Sequence, residues 1–519
     1  LPTVAGQQQF SGPLSGAVAQ LCASLEPQVG PRTAAGLREV VRRLRSPLQV
    51  AVAGRIKSGK STLVNALIGR RVAPTDIGEC TRLVTRFSYG TVDRVELVYT
   101  DGNRRIIPFD ADGMIPAELG DFSTISHLEA YLTNAVLANL TVIDTPGLGS
   151  LDAASVQRTE AILGTEAGES GESDELDRAS ASAVAGAEAV LYVVTQGVRA
   201  DDQHAIAAFT AATASRDAGP VNAIAVLNKA DTIPPESVEG ADGDVWEAAR
   251  KLAGSQADVL KPRVADVLPV AGLIAESAET GTFTSGDADA LHRLAELDDA
   301  DLETMLIAGD IFTSWECEVP AGVRARLLEK LELYGIRKAV DAIRARPGIS
   351  AGELRRTLLA ASGLPEVRDK LGKVFATRAD GIKAAAALAS VTAIAQASGD
   401  HGERQRVHDA IEVLLAKPEA HQLRLLEALT LVVSSAVAMP DDLAEEILRV
   451  GGNVDIETQL GMPGAGLEQL TAHALERAGW WRSFSTFGAT PAQSRIAHVV
   501  HRAYFLIWQE LRTRAGVSR

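Results

Sequence analysis

A chain of 519 residues is too long for one ordinary domain, and 46% hydrophobic with 23% charged side chains excludes global disorder. Its 51 basic and 67 acidic residues leave a formal charge of −16, which excludes a surface that grips nucleic acid or anionic lipid throughout and confines such contact to a local patch. Cys22, Cys80 and Cys317 lie far apart with no CxxC spacing, so neither a disulfide framework nor a zinc cluster is expected, and a reducing cytoplasm fits this usage.

After a Gly/Gln/Ser-rich start, Leu14, Val18, Leu21 and Leu25, then Leu37, Val40, Val41 and Leu44, recur at helical spacing. No charged-then-apolar leader opens the sequence, so no secretion signal is expected. Ser46-Pro47 ends the second helix, and Leu48 to Ala53 predicts a buried strand running into Gly54. Further short apolar strands are predicted at Val95–Tyr99, Leu140–Ile143, Ala189–Val194, Ala223–Leu227 and Val267–Val270. Helix-length segments between them imply a sheet covered on both faces. Residues 164–180 carry six carboxylates and almost nothing apolar, which predicts a solvated loop; Asp287–Glu303 is similarly acidic.

Beyond about residue 300 only helical patterns remain, such as Val323, Leu327, Leu331 and Tyr334. Breakers at Pro347-Gly348, Pro365, Ser398-Gly399-Asp400, Pro440, Gly451-Gly452 and 461–466 predict six or seven helices. A closing helix, Ala492–Arg514, is expected to pack on the N-terminal helices. The longest apolar runs, Ala384–Ala395 and Ala428–Met439, fall short of the roughly 20 residues a membrane-crossing helix needs.

Three motifs stand in order at predicted strand ends. Gly54, Arg55, Ile56, Lys57, Ser58, Gly59, Lys60 and Ser61 form a GxxxxGKS loop, followed by a helix opening at Thr62. Its backbone N–H groups converge on phosphate, Lys60 offsets β/γ charge and the Ser61 hydroxyl suits Mg²⁺. Asp144-Thr145-Pro146-Gly147 follows, with Asp144 placed to hold Mg²⁺ and the Gly147 N–H to reach a γ-phosphate. Asn228-Lys229-Ala230-Asp231 supplies a carboxylate that accepts from two guanine donors, which adenine lacks, so GTP is the expected nucleotide. Between the first two motifs, Thr81 is the candidate for Mg²⁺ and attacking water, with Thr75 and Thr85 as competitors. Ala271 and Gly272 are expected to offer backbone to the base.

GRIKSGKSTLVNALIG, APTDIGECTRLVTRFSYG, VIDTPGLGS and NKAD resemble the bacterial branch of the dynamin superfamily, closest to the actinobacterial isoniazid-inducible dynamin-like GTPases. Arg326–Arg337 resembles a helix that follows the head in those proteins. The resemblance implies an α/β P-loop GTPase head on all-α elongated neck and trunk bundles. The head is expected at 46–300, neck helices at 13–45 and 301–345, a trunk at 346–490 and a C-terminal neck helix at 491–519. It also implies GTP-driven membrane remodelling by fission, fusion or tethering, self-association through heads, a possible paralogous subunit, and no nucleic-acid partner. The protein is then cytoplasmic and peripheral to the inner face of the cell membrane. The alternative is a regulatory switch whose helical half binds protein.

Two departures bear on catalysis. Leu148 stands where small GTPases place a water-orienting glutamine, and Ile56-Lys57 replaces a Gln-Ser pair of eukaryotic dynamins. Slow basal hydrolysis is therefore expected, raised when heads pair, with Lys57 or Arg55 as charge donor. Local basic excess, eleven basic against five acidic residues over Arg337–Lys383 and seven against one over Arg477–Arg519, suits anionic lipid. The turn at Gly399–Glu403, Val432–Leu443 and Trp480-Trp481 are the candidate membrane contacts.

Overall fold

The computed structural model describes residues 12–55, 57–74, 83–116, 118–121, 124–138, 140–145, 187–195, 223–260, 264, 266–372, 379–417, 420–433, 437–453 and 455–516. The predicted acidic loop at 164–180 lies outside them. The chain divides into two compact units, one of residues 49–208 and 223–373, the other of 1–48, 209–222 and 374–519.

Among the described residues the first unit is built on nine strands: β1 (Leu48–Gly54), β2 (Thr85–Tyr89), β3 (Arg94–Tyr99), β4 (Arg104–Ile107), β5 (Ile125–Leu132), β6 (Leu140–Asp144), β7 (Ala189–Thr195), β8 (Ala223–Asn228) and β9 (Val267–Val270). Their order is β4-β3-β5-β2-β6-β1-β7-β8-β9. β1, β7, β8 and β9 run parallel, whereas β2 lies antiparallel on β6, and β3 antiparallel on both β4 and β5. The continuous apolar runs of β7 and β8 follow from burial on both faces. The six expected strands are all present. β2, β4 and β5 were missed because each alternates or is polar: β5 buries Ile125, Leu128, Ala130 and Leu132 on one face only. Arg104 of β4 reaches Glu129 of β5 at 2.9 Å and Glu96 of β3 at 3.1 Å, a polar outer face that hides strands from an apolar search.

The acidic run from Asp287 supplies helical N-termini. Asp287 closes a capping box with Thr284 and receives Lys330 at 2.7 Å, and Asp298 caps Asp299–Met305. The 301–345 segment, expected as neck helices, shares the first unit's core. Leu327, Leu331, Ile336 and Val340 of the helix Ala321–Ala345 pack with Ile274, Leu291, Leu294 and Phe312. Among the described residues twelve helices follow residue 298, more than the six or seven predicted. Pieces as short as Gly309–Ser314 and Ile456–Leu460 carry no readable period.

In the second unit, the helices Pro13–Leu25 and Pro31–Arg45 open after Gly12 and Gly30, which have no capping side chain. Carboxylates 366 and 373 residues downstream serve instead. The Leu14 and Ser15 amides donate to Asp380 at 2.8 Å each, and the Gly30 amide and Thr33 hydroxyl donate to Glu403. The last helix spans Pro491–Arg514, close to expectation, but its core partners differ. A three-residue turn folds it back on Leu467–Phe487, and both pack around Leu429, Ile447, Trp481 and Tyr504. Glu446 binds this hairpin, accepting from Tyr504 Oη at 2.5 Å, Arg477 Nε at 2.9 Å and Trp481 Nε1 at 3.0 Å. Among the described residues, no helix is long and apolar enough to cross a membrane.

Candidate nucleotide-binding site

β1 delivers the phosphate loop at Gly54, whose φ of 152° and backbone approach to β7 both require glycine: a Cβ would sit 2.5 Å from the Val193 carbonyl oxygen. Gly59, at φ 87°, opens the helix Lys60–Ile68. Lys60 is 7% exposed and its Nζ donates to the carbonyls of Gly54 (3.0 Å) and Arg55 (2.8 Å). Desolvation lowers its pKa to about 8, opposed by the nearby Asp144 carboxylate. Ser61 Oγ donates to Asp144 Oδ2 at 2.8 Å. Asp144 Oδ1 and Ser58 Oγ are buried without a partner among the described residues, and burial pushes Asp144 up to about 6. Orphaned buried oxygens are rare, and a desolvated carboxylate beside a serine hydroxyl is the donor set a divalent cation relieves. Arg55 and Thr62 are half-buried, and Lys57 is exposed at φ 63°. Ile56, Thr75, Thr81, Gly147 and Leu148 lie outside the described residues.

The base loop is braced to the phosphate loop by Asn228. Its Nδ2 donates to the Ser58 carbonyl at 2.8 Å, and its Oδ1 accepts from the Gly272 amide at 3.0 Å. The Ala271 amide donates to the Ser362 carbonyl at 2.9 Å. The backbone N–H groups of Ala271 and Gly272 are thus both engaged within the protein. Lys229 is exposed at φ 59°, and Asp231 sits in the turn Ala230–Thr232. Burial, and secondarily the Glu332 carboxylate, push Asp231 up to about 6, while Lys229 opposes the shift.

Asn65, Glu332 and Ser362 escaped the sequence reading. Asn65 uses all four of its hydrogen-bonding positions: Nδ2 donates to Glu276 Oε1 (2.7 Å) and the Ala73 carbonyl (3.0 Å), and Oδ1 accepts from the amides of Val72 (3.0 Å) and Ala73 (2.8 Å). It ties the phosphate-loop helix to the stem before residue 75. An amide inside the buried run LVNALI was the available signal. Glu332 and Ser362 come from helices far along the chain and carry no local signal.

A phosphate loop closing on a half-buried Ser61 hydroxyl paired with the buried Asp144, with an Asn-Lys-Ala-Asp strand end braced beside it, defines a P-loop GTPase. The chain belongs to the dynamin family, whose model matches residues 50–230. Isoniazid-induced protein IniC of Mycobacterium tuberculosis is 31% identical over 461 residues, 86% of either chain. A bacterial dynamin-like protein of Nostoc punctiforme is 28% identical over 130 residues, 22% of this chain and 18% of its own. A solved structure described as an oligomerised bacterial dynamin pair, with a mechanism for long-range sensing and tethering of membranes, covers 98% of this chain and 92% of its own at 11% identity and a TM-score of 0.33. The protein is a bacterial dynamin-like GTPase that hydrolyses GTP to GDP and phosphate.

Proposed function

We propose that the protein binds and remodels membranes peripherally, from the cytoplasmic side, coupling GTP hydrolysis to pairing of its GTPase heads. The observation that carries the membrane reading is Phe487, 90% exposed at the turn of the helical hairpin Leu467–Phe487 and Pro491–Arg514. Trp480 stacks on Phe484 at 5.4 Å beneath Arg477, and Arg512 lies 5.0 Å over Trp508. An exposed aromatic tip on a stretch with seven basic residues and one acidic is complementary to an anionic bilayer. The earlier candidates support this less. Asp400 and Glu403 are occupied as caps, Val432 and Leu443 are buried, and Trp481 is core at 0% exposure. Burying one phenylalanine contributes only about 1.5–3 kcal/mol, so stable attachment requires several copies acting together.

In the head, Ser61 and Asp144, with Thr81, would hold Mg²⁺, which supplies charge neutralisation at the β- and γ-phosphates. Lys60 adds a second positive charge, Asp231 accepts the guanine donors, and Lys57 or Arg55 is the charge a paired head brings to bear. Asn228 acts as a brace within the same site. A paralogous subunit is a further partner in this reading, and nucleic acid is not.

Phe487→Glu is expected to lower co-flotation with anionic vesicles by tenfold or more, about 1.4 kcal/mol or above, while GTP hydrolysis in the absence of vesicles stays at the parental rate. Vesicle-independent behaviour of the parent protein in every nucleotide state would instead mark a regulatory switch acting on protein.

A further inference from the structure

Four non-glycine residues among those described have positive φ: Lys57, Lys229, Asp242 and Glu332. Two belong to the phosphate and base loops, and Glu332 faces the latter. It interrupts the helix Ala321–Ala345 at φ 51°, ψ 176°, a conformation nearly reserved to glycine. Such a break persists only where its surroundings hold it. Leu331 is fully buried, Ser277 Oγ donates to the Lys330 carbonyl at 2.8 Å, Gly335 is tight against Ile274, and Tyr334 stacks on Trp246 at 6.0 Å. The break leaves the Glu332 carboxylate half-buried against the turn Ala230–Thr232, where it acts on Asp231 and is itself acted on by Lys229.

We propose that Glu332 is a positioning residue for guanine recognition: its carboxylate opposes the negative charge of Asp231 and attracts Lys229, so that base occupancy and the path of the helix Ala321–Ala345 bias each other. The inference rests on Asp231 being the guanine acceptor. A bound guanine directs two N–H donors at Asp231 and so favours its ionised form. With the base absent, the Glu332 carboxylate acts on Asp231 across a partly desolvated site and disfavours its ionised form. Among the described residues, the charged groups that act on Asp231 are Lys229 on its own loop and Glu332 on the helix. Tyr334 is a neutral phenol, which burial pushes up to about 12, and Asp244 and Arg250 act on that phenol. Guanine affinity therefore declines as pH falls through about 6, and removing the Glu332 charge moves the decline to lower pH.

The test is GDP affinity of the full chain between about pH 7.5 and 5.5, for the parent, Glu332→Gln and Glu332→Gly, the last of which tolerates the backbone conformation. The parent is expected to lose roughly fourfold over that range through Asp231, and both variants measurably less, with the inflection moved to lower pH. An unshifted inflection in Glu332→Gln and Glu332→Gly overturns the proposal. Asp231→Asn separates the two readings. If it fails to exchange guanine for xanthine preference, the acceptor assignment falls and this proposal with it. If it does so while the Glu332 profiles match the parent, only the role of Glu332 falls.

Discussion

Lys60→Ala is expected to abolish measurable GTP binding and to lower turnover by at least about 10²–10³-fold, as loss of a buried donor aimed at transferring charge does elsewhere. The native ammonium is held in the loop mouth by the Gly54 and Arg55 carbonyls and is kept nearly dry. In the proposed site it is thus preorganised where β- and γ-phosphate charge would arrive, whereas Lys57 on the same loop is exposed and has positive φ. Truncation leaves two carbonyls that water satisfies, so the fold survives. Titration with a fluorescent GDP analogue alongside far-ultraviolet circular dichroism checks this. Tight binding by a folded Lys60→Ala protein would place the nucleotide elsewhere.

Asp231→Asn is expected to weaken GDP and GTP binding by about 10²–10⁴-fold and to favour xanthosine nucleotides instead. A carboxylate accepts from both the ring N–H and the exocyclic amine of guanine. An asparagine offers one acceptor and one donor, which suits the ring N–H and carbonyl of xanthine. Partial burial makes each mismatch expensive, and desolvation is the main cause that raises the Asp231 pKa. Competition between GDP and XDP reads the exchange directly. Unchanged preference for guanine would remove Asp231 from the base site.

Much of this candidate site was legible in sequence because phosphate chemistry requires particular residues at fixed spacing next to a strand. Gly54, Lys60, Ser61, Asp144, Asn228 and Asp231 fall at the ends of β1, β6 and β8 as the motifs demand. The strands between them were legible where both faces are buried, as in β7 and β8. They were lost where one face meets polar pairs, as Arg104 with Glu96 and Glu129. Long-range ties had no local signature. Asp380 and Glu403 cap helices more than half the chain away, and Ser362 takes the amide of Ala271. Helical periodicity located the helix Ala321–Ala345 but not its allegiance, since an apolar stripe states that something covers it and not what. The closing helix misled for the same reason: its stripe meets the adjacent Leu467–Phe487, brought back by a tight turn.

GTP turnover per molecule, followed across a wide range of protein concentration with and without anionic vesicles, tests membrane-coupled pairing of heads most directly. Turnover is expected to start slow, to rise with concentration and to rise further on vesicles, where copies are gathered on one surface. A rate per molecule that stays flat at every concentration, the same with vesicles as without, would contradict it.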